Sequence, residues 1–411
     1  MPVVGGMAPS ARTSPGGRHP PPLLDALSDR QLVTEDGRVT SAPDVINLGR
    51  TWVELDLSAL EANVRDVVSE LTPVPLMAVV KANAYGHGAL LVARCALAGG
   101  ASWLATATVG EAAQLRMAGI DAPCLVLGYT PPEHALEAVR LQLVVTVFDL
   151  AVAAALEGAG ARLGTTARAH LKVDTGMTRL GIRPEEVAGF VGATQGMSHL
   201  CLEGIYTHLR KGQDLQATSV QLERLQAAFT FAEGAGHCFR LRHAANSAAW
   251  NHLPEARLDL VRSGGEILGL STADGRRRRP VLTFKSTVAQ VHTAAPGTFV
   301  GYGDSFQTEA PMLVATLPIG YGDGLRRGPV TWDSVLIRGR RHPLVGDVSM
   351  DMAMVDVTSD PGIAPGDQVV LLGRQGPDEI TVDEIARQLG TINYEVVTGI
   401  TARVPRLGDH R

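Results

Sequence analysis

Val53, Leu55 and Leu57 alternate with Glu54 and Asp56, the period-two pattern of a strand with one buried face. Leu60, Val64, Val67, Val68 and Leu71 then recur at three- and four-residue spacing, so a helix follows, and Ser58 with Glu61 predicts a capping box at its start. Short apolar runs alternate with helical stretches from there to about residue 262. The runs beginning near Leu76, Ser102, Cys124, Leu143, Arg168, Leu202, Leu241 and Leu258 read as strands, with helices least distinct after the last two. Strict alternation builds right-handed βαβ units on a parallel sheet, and eight such strands suggest closure into a barrel. The fold class is α/β, opening with an N-terminal (β/α)8 TIM-like barrel.

Beyond about Gly275 the pattern changes to strands bounded by turn residues: Phe284 to Thr293, Met312 to Pro318, Val335 to Arg340, Ala353 to Val357 and Val369 to Leu372. Only Thr381 to Leu389 reads as helix there, so a mostly β C-terminal domain is expected. With eight barrel strands already assigned, Val53 to Leu57 is a ninth, expected to pair with the β domain. The boundaries are set at residues 46–272 for the barrel and 273–411 for the β domain, and the Arg276 to Arg279 run reads as a solvated linker. Residues 1–45 hold seven of the 24 prolines and many Gly, Ser and Arg. Such a stretch buries too little apolar surface to offset chain entropy and is expected to be a disordered tail. It also lacks the uninterrupted apolar stretch of a secretory signal.

Charge narrows the partners. Lys plus Arg is 37 against 42 Asp plus Glu, a net charge of −5, which leaves no basic surplus for nucleic acid or an anionic membrane. The most apolar stretch, Leu141 to Leu156, is interrupted by Asp149 and falls short of a membrane span. Cys95, Cys124, Cys201 and Cys238 stand singly, which suits neither a zinc ribbon nor a disulfide framework and points to a reducing cytoplasm. No metal site is expected.

Chemistry concentrates at strand ends. In Val79-Val80-Lys81-Ala82-Asn83-Ala84-Tyr85-Gly86-His87-Gly88 the lysine follows an apolar strand, which in a barrel is the C-terminal mouth where active sites assemble. Partial desolvation there lowers an amine's pKa and frees it as a nucleophile. Taken alone, an ordinary surface lysine at a strand end is the better reading. Leu171-Lys172-Val173-Asp174-Thr175-Gly176-Met177-Thr178-Arg179-Leu180-Gly181 offers Arg179 for bidentate capture of a carboxylate, against a plain surface ion pair. Tyr206-Thr207-His208 and His243-Ala244-Ala245-Asn246-Ser247-Ala248 end two further strands, and the small polar second run lets a phosphate approach closely. In Val261-Arg262-Ser263-Gly264-Gly265 the glycine amides can cradle the same phosphate.

These segments, in this order from about residue 51 to Arg406, resemble the alanine racemases, barrel enzymes that use pyridoxal 5′-phosphate. The resemblance implies that Lys81 holds the cofactor and acts as one base, that Arg179 binds the substrate carboxylate, and that His208 faces the cofactor ring. It gives Ser247, Gly264, Gly265, Tyr85 and Tyr394 to the phosphate. The family counterpart of Lys172 is often carbamylated and helps to orient that arginine. Val300-Gly301-Tyr302-Gly303 resembles the segment that supplies a second catalytic base, Tyr302, from the other subunit of a homodimer. Pro318-Ile319-Gly320-Tyr321-Gly322-Asp323-Gly324 and Val348-Ser349-Met350-Asp351 imply that Tyr321, Met350 and Asp351 line the substrate entrance, and Tyr394-Glu395-Val396 with Arg403-Val404-Pro405-Arg406 matches the family's C-terminal signature.

Arg262 is implied at the cofactor's pyridine nitrogen. A carboxylate there would keep that nitrogen protonated and deepen the electron sink, whereas arginine leaves it neutral and favours prompt return of a proton to the α-carbon. That favours racemisation, implied here between L- and D-alanine. A serine or broad-specificity racemase is the alternative within the fold. A barrel decarboxylase would normally carry a carboxylate at the Arg262 position and a cysteine at the Tyr302 position, and a cofactor carrier would need no β domain. Two segments depart from the family: Leu209-Arg210-Lys211-Gly212-Gln213-Asp214 is basic, and Ser263-Gly264-Gly265-Glu266 replaces the usual Pro, Gly and aliphatic run.

Overall fold

A computed structural model describes residues 50–270 and 278–409. The tail expected over residues 1–45 lies outside the described residues, as do Arg276 and Arg277.

Eight parallel strands form one sheet: β2 (Leu76–Val79), β3 (Trp103–Thr106), β4 (Cys124–Val126), β5 (Val144–Val147), β6 (Ala167–Lys172), β7 (Leu200–Tyr206), β8 (Leu241–His243) and β9 (Val261–Ser263). Each pairs with the next through β8, and β9 returns to pair with β2. The seam between β8 and β9 is bridged by single backbone bonds, Arg262 N–H to Ala245 O at 3.2 Å and Asp259 N–H to Arg242 O at 2.9 Å. The result is a nearly closed barrel. Strands such as β2 and β5 are buried at every residue, because barrel contents cover one face and outer helices the other. Met77, Val79, Trp103, Ala105, Leu125, Val144 and Leu260 pack together inside.

The remaining strands form a ten-stranded, largely antiparallel sheet that includes β1 (Thr51–Asp56). β1 runs antiparallel to β10 (Leu282–Thr287) and parallel to the last strand, Arg406–Asp409. The N-terminal strand is therefore an integral part of the β layer, whose core includes Phe284 and Trp332 at 6.2 Å between ring centres.

Several sequence expectations need correction. The first helix starts at Leu57 and is capped by Asp56, which accepts from Ala59 N–H at 2.7 Å, so the expected Ser58 cap lies two residues late. The single strand expected over Phe284 to Thr293 is two, the second being Gln290–Ala294. The β domain has a further helix, Asn393–Thr398, and further strands at Arg340–Val345, Asp378–Ile380 and Arg406–Asp409. These are short or strongly polar, so they carry little hydrophobic periodicity. Arg278 is not a solvated linker residue: its side chain is 11% exposed, packed between Asp66, Glu70 and Glu266.

Candidate active site

After β2 the chain makes a left-handed turn in which Ala82, Asn83, Ala84 and Tyr85 have φ near +50°. Side chains with a Cβ resist this region by about 1–2 kcal/mol each. The surroundings hold the turn in place. Glu111 accepts from Ala82 N–H at 2.7 Å, and the Asn83 amide oxygen from Ala89 N–H at 2.8 Å. Gly86 follows where an added Cβ would lie 2.1 Å from Val397 O, so the turn is pressed against the Asn393–Thr398 helix. Lys81 and Tyr85 thereby border a cavity of about 400 Å³ at the barrel mouth.

The same cavity is bordered by Lys172, Arg179, His208, Ser247, Arg262, Gly264, Gly265 and Tyr394. Most of the expected site residues are thus gathered in one place. Among the described residues that line it, four are basic lysines or arginines and none is a carboxylate, so the cavity is suited to anions. Burial, with Arg179 next, holds the Lys81 amine below its ordinary pKa. Lys172 is 7% exposed, its Nζ lies 4.1 Å from the Tyr206 ring centre, and burial and then Arg262 push its pKa down strongly. Burial and Arg262 likewise take His208 down to about 2.

A cup forms at the ends of β8 and β9. Ser247 Oγ lies 3.1 Å from Ser263 Oγ and accepts from Gly264 N–H at 3.3 Å. An added Cβ at Gly264 would meet the Tyr85 ring at 2.7 Å, and one at Gly265 would meet the Tyr394 hydroxyl at 2.0 Å. The two tyrosine rings touch at 5.5 Å between centres. Glycine backbone, one serine hydroxyl and two phenols at a narrow cup fit the phosphate of a pyridoxal cofactor, and Lys81 on the same cavity could supply an amine for its aldehyde.

A polar chain inside the barrel went unnoticed in the sequence. Arg262 is 4% exposed, and donates to His243 Nδ1 at 2.6 Å and to the carbonyls of Thr207 and Ala244 at 2.9 Å each. His243 Nε2 lies 2.9 Å from His170 Nδ1, and His170 Nε2 lies 3.6 Å from Glu203, which pairs with Arg168 at 2.7 Å and Arg240 at 2.9 Å. Burial still lets Arg262 keep its proton at neutral pH, lowering its pKa only to about 10. A bulge explains Glu203: pairing steps from Ala169–Leu202 to His170–Gly204, leaving Glu203 as the extra residue.

Tyr302, Tyr321, Met350 and Asp351 do not border the cavity. They are surface residues of the β domain, with Tyr302 66% and Met350 53% exposed. Backbone bonds from Tyr321 N–H to Ser349 O (3.0 Å) and Gly322 N–H to Met350 O (2.9 Å) knit two of their loops together, and Arg403 holds Asp351 at 2.8 Å.

A lysine-bearing cavity suited to anions at the mouth of a parallel barrel, joined to a β domain, defines a class of barrel enzyme. Family models narrow it further. Residues 55–272 match the alanine racemase N-terminal domain and residues 281–408 the alanine racemase C-terminal domain. An alanine racemase of Symbiobacterium thermophilum is 45% identical over 370 residues, covering 88% of this chain and 98% of its own. That of Desulfovibrio desulfuricans is 44% identical over 363 residues, 87% of this chain and 97% of its own. Among solved structures, the Bacillus anthracis alanine racemase with bound L-Ala-P aligns with a TM-score of 0.83 at 35% identity over 88% of this chain and 95% of that one. The enzyme from D-cycloserine-producing Streptomyces lavendulae also gives 0.83, at 36% identity over 88% of this chain and 97% of that one. The chain belongs to the alanine racemase family.

Proposed function

We propose that this protein interconverts L- and D-alanine with pyridoxal 5′-phosphate held at the barrel mouth. The observation that carries the reading is the shared cavity of Lys81, the Ser247–Gly264–Gly265 cup between Tyr85 and Tyr394, and the buried Arg262. Pyridoxal phosphate, when bound, withdraws electrons from the amino acid's α-carbon and makes its α-proton removable.

The chain's own residues then direct that proton. Lys81, its pKa lowered by burial, is the base and acid on one face of the α-carbon. Tyr302 of the partner subunit serves the opposite face, which is what inversion requires; its exposure in the single chain supports an interface role. Arg179 binds the substrate carboxylate bidentately. His208 stays neutral beside the cofactor ring, and Arg262 hydrogen-bonds the pyridine nitrogen without protonating it. Tyr321, Met350 and Asp351 line the entrance across the same interface. Lys172, held down by burial and then by Arg262 and Arg179, is shifted toward the neutral amine that reacts with carbon dioxide, and the resulting carbamate would pair with Arg179.

Among the described residues no helix is long and apolar enough to cross a membrane, and all four cysteines are free, which supports the assignment to a reducing cytoplasm. The partners are the amino acid and a second copy of the chain, with no nucleic acid or membrane. The test is to incubate purified protein and pyridoxal phosphate with single L-amino acids and resolve products by chiral chromatography. D-Alanine should dominate, and Lys81→Ala should abolish both it and the borohydride-reducible link to cofactor. Faster turnover of serine would overturn the substrate assignment.

A further inference from the structure

Glu266 has no part in the chemistry above, and it stands in one of the two segments that depart from the family pattern. It directly follows Gly264 and Gly265 and is 1% exposed. One carboxylate oxygen accepts from Trp250 Nε1 at 2.7 Å. The other lies 3.4 Å from Asn251 Nδ2 and 3.4 Å from an Arg278 nitrogen. Trp250 and Asn251 belong to the turn after β8 that carries Ser247. The carboxylate therefore joins, from behind, the two backbone segments whose Ser247 hydroxyl and Gly264 N–H meet in front.

The joint is anchored outward as well. Arg278 is held by Glu70 at 2.8 Å and Asp66 at 3.4 Å, and Asn63 on the same helix donates to Ile267 O at 3.1 Å. Inward, Gly265 is confined by the Tyr394 hydroxyl, so the cup has little room to change width. By charge alone, a carboxylate near a phosphate site would oppose binding. Its bonding geometry gives it the opposite effect.

We propose that Glu266 is a positioning residue for the cofactor phosphate: by fastening the Ser247 turn to the Gly264–Gly265 turn, it makes the protein discriminate pyridoxal phosphate from pyridoxal. This rests on the reading of the cup as the phosphate site. The test titrates apoprotein with pyridoxal phosphate and with pyridoxal, following the absorbance of the Lys81-bound chromophore, with inorganic phosphate as competitor. Glu266→Ala should weaken pyridoxal phosphate and inorganic phosphate by about tenfold, the scale of one lost buried hydrogen bond, and leave pyridoxal about unchanged. Glu266→Gln, which keeps an oxygen for Trp250 Nε1, should restore most of the selectivity. Trp250→Phe, which keeps the ring and removes the donor, should repeat the selective loss and decides the matter if Glu266→Ala does not fold. Equal weakening of both ligands, no change, or tighter phosphate binding from simple relief of repulsion would each overturn the proposal. If the wild-type protein itself fails to prefer pyridoxal phosphate, the cup reading falls first, a result distinct from a failure confined to the variants.

Discussion

Arg262 donates to His243 Nδ1 across 2.6 Å, and this contact dictates the protons along the barrel interior. A guanidinium has donors only, so His243 Nδ1 must be an unprotonated acceptor and its proton must sit on Nε2. That proton points at His170 Nδ1, 2.9 Å away, which places the His170 proton on Nε2, toward Glu203. Both imidazoles are neutral, in keeping with the lowering of both pKa values by burial. The donors point in one direction, from the cavity toward a carboxylate fixed by Arg168 and Arg240, from which His170 Nε2 stands 3.6 Å away, beyond hydrogen-bond reach.

Replacing His243 with Leu should therefore cost more than a histidine's packing. It strands an Arg262 donor in a site where burial is complete, a loss of about 1.5–3 kcal/mol for a hydrogen bond to a charged group. Urea unfolding should show that loss together with reduced racemisation. Undiminished stability would mean that the Arg262–His243 bond contributes nothing net.

Stability should also fall with mild acid. His87, His170, His208 and His243 are kept neutral chiefly by burial, with His87 down to about 4 and His208 down to about 2. Unfolded, each takes up a proton near pH 6.5, so below that pH the unfolded state binds more protons than the native state. For His87 the loss is about 1.4 kcal/mol per pH unit and reaches about 3 kcal/mol by pH 4. Above about pH 6.5 these groups add no slope. Urea titrations at about pH 7.5, 6.5 and 5.5 should show the slope increasing below pH 6.5; no added slope there would refute the neutral-histidine interior.

Much of this was legible beforehand. Strands such as β2 and β4 stood out because parallel strands buried on both faces are short apolar runs, and Lys81 closely follows one of them. The interior chain did not. Arg168, His170 and Lys172 alternate with Ala167, Ala169 and Leu171, a pattern that ordinarily marks a polar face turned to water, whereas in a barrel strand that face turns inward. Glu203 was further hidden by its bulge, which breaks the parity a sequence reader counts on. Glu266 was noticed only as an odd residue, since Trp250 and Arg278 reach it from segments that no local pattern connects.

Arg262→Glu tests reaction specificity. The new carboxylate would face His243 Nδ1 and the Thr207 and Ala244 carbonyls, all acceptors in the native arrangement, and would hold a proton on the cofactor nitrogen. Racemisation should drop on the order of 10²-fold, the scale of one preorganised electrostatic contact, while pyruvate from transamination appears. Pyruvate assay and thermal melting together separate altered chemistry from misfolding. Unchanged racemisation without pyruvate would return Arg262 to a purely structural role.

The last prediction concerns the shared site. Lys81 borders the cavity, whereas Tyr302 is 66% exposed on the β domain and outside it, so a two-base site needs a second chain. Suppose Lys81→Ala and Tyr302→Ala proteins, each nearly inactive, are mixed under conditions that exchange subunits. In a hybrid dimer one site lacks both groups, and the other takes lysine from the Tyr302→Ala chain and tyrosine from the Lys81→Ala chain. Random exchange makes half the dimers hybrid, each with one working site, so about a quarter of wild-type activity per chain should return for a twofold-symmetric dimer. Native mass spectrometry of one isotopically labelled variant measures the exchange directly. Full exchange without recovered racemisation would place both bases in one chain or remove Tyr302 from the reaction, because no other pairing of these two substitutions leaves a site intact.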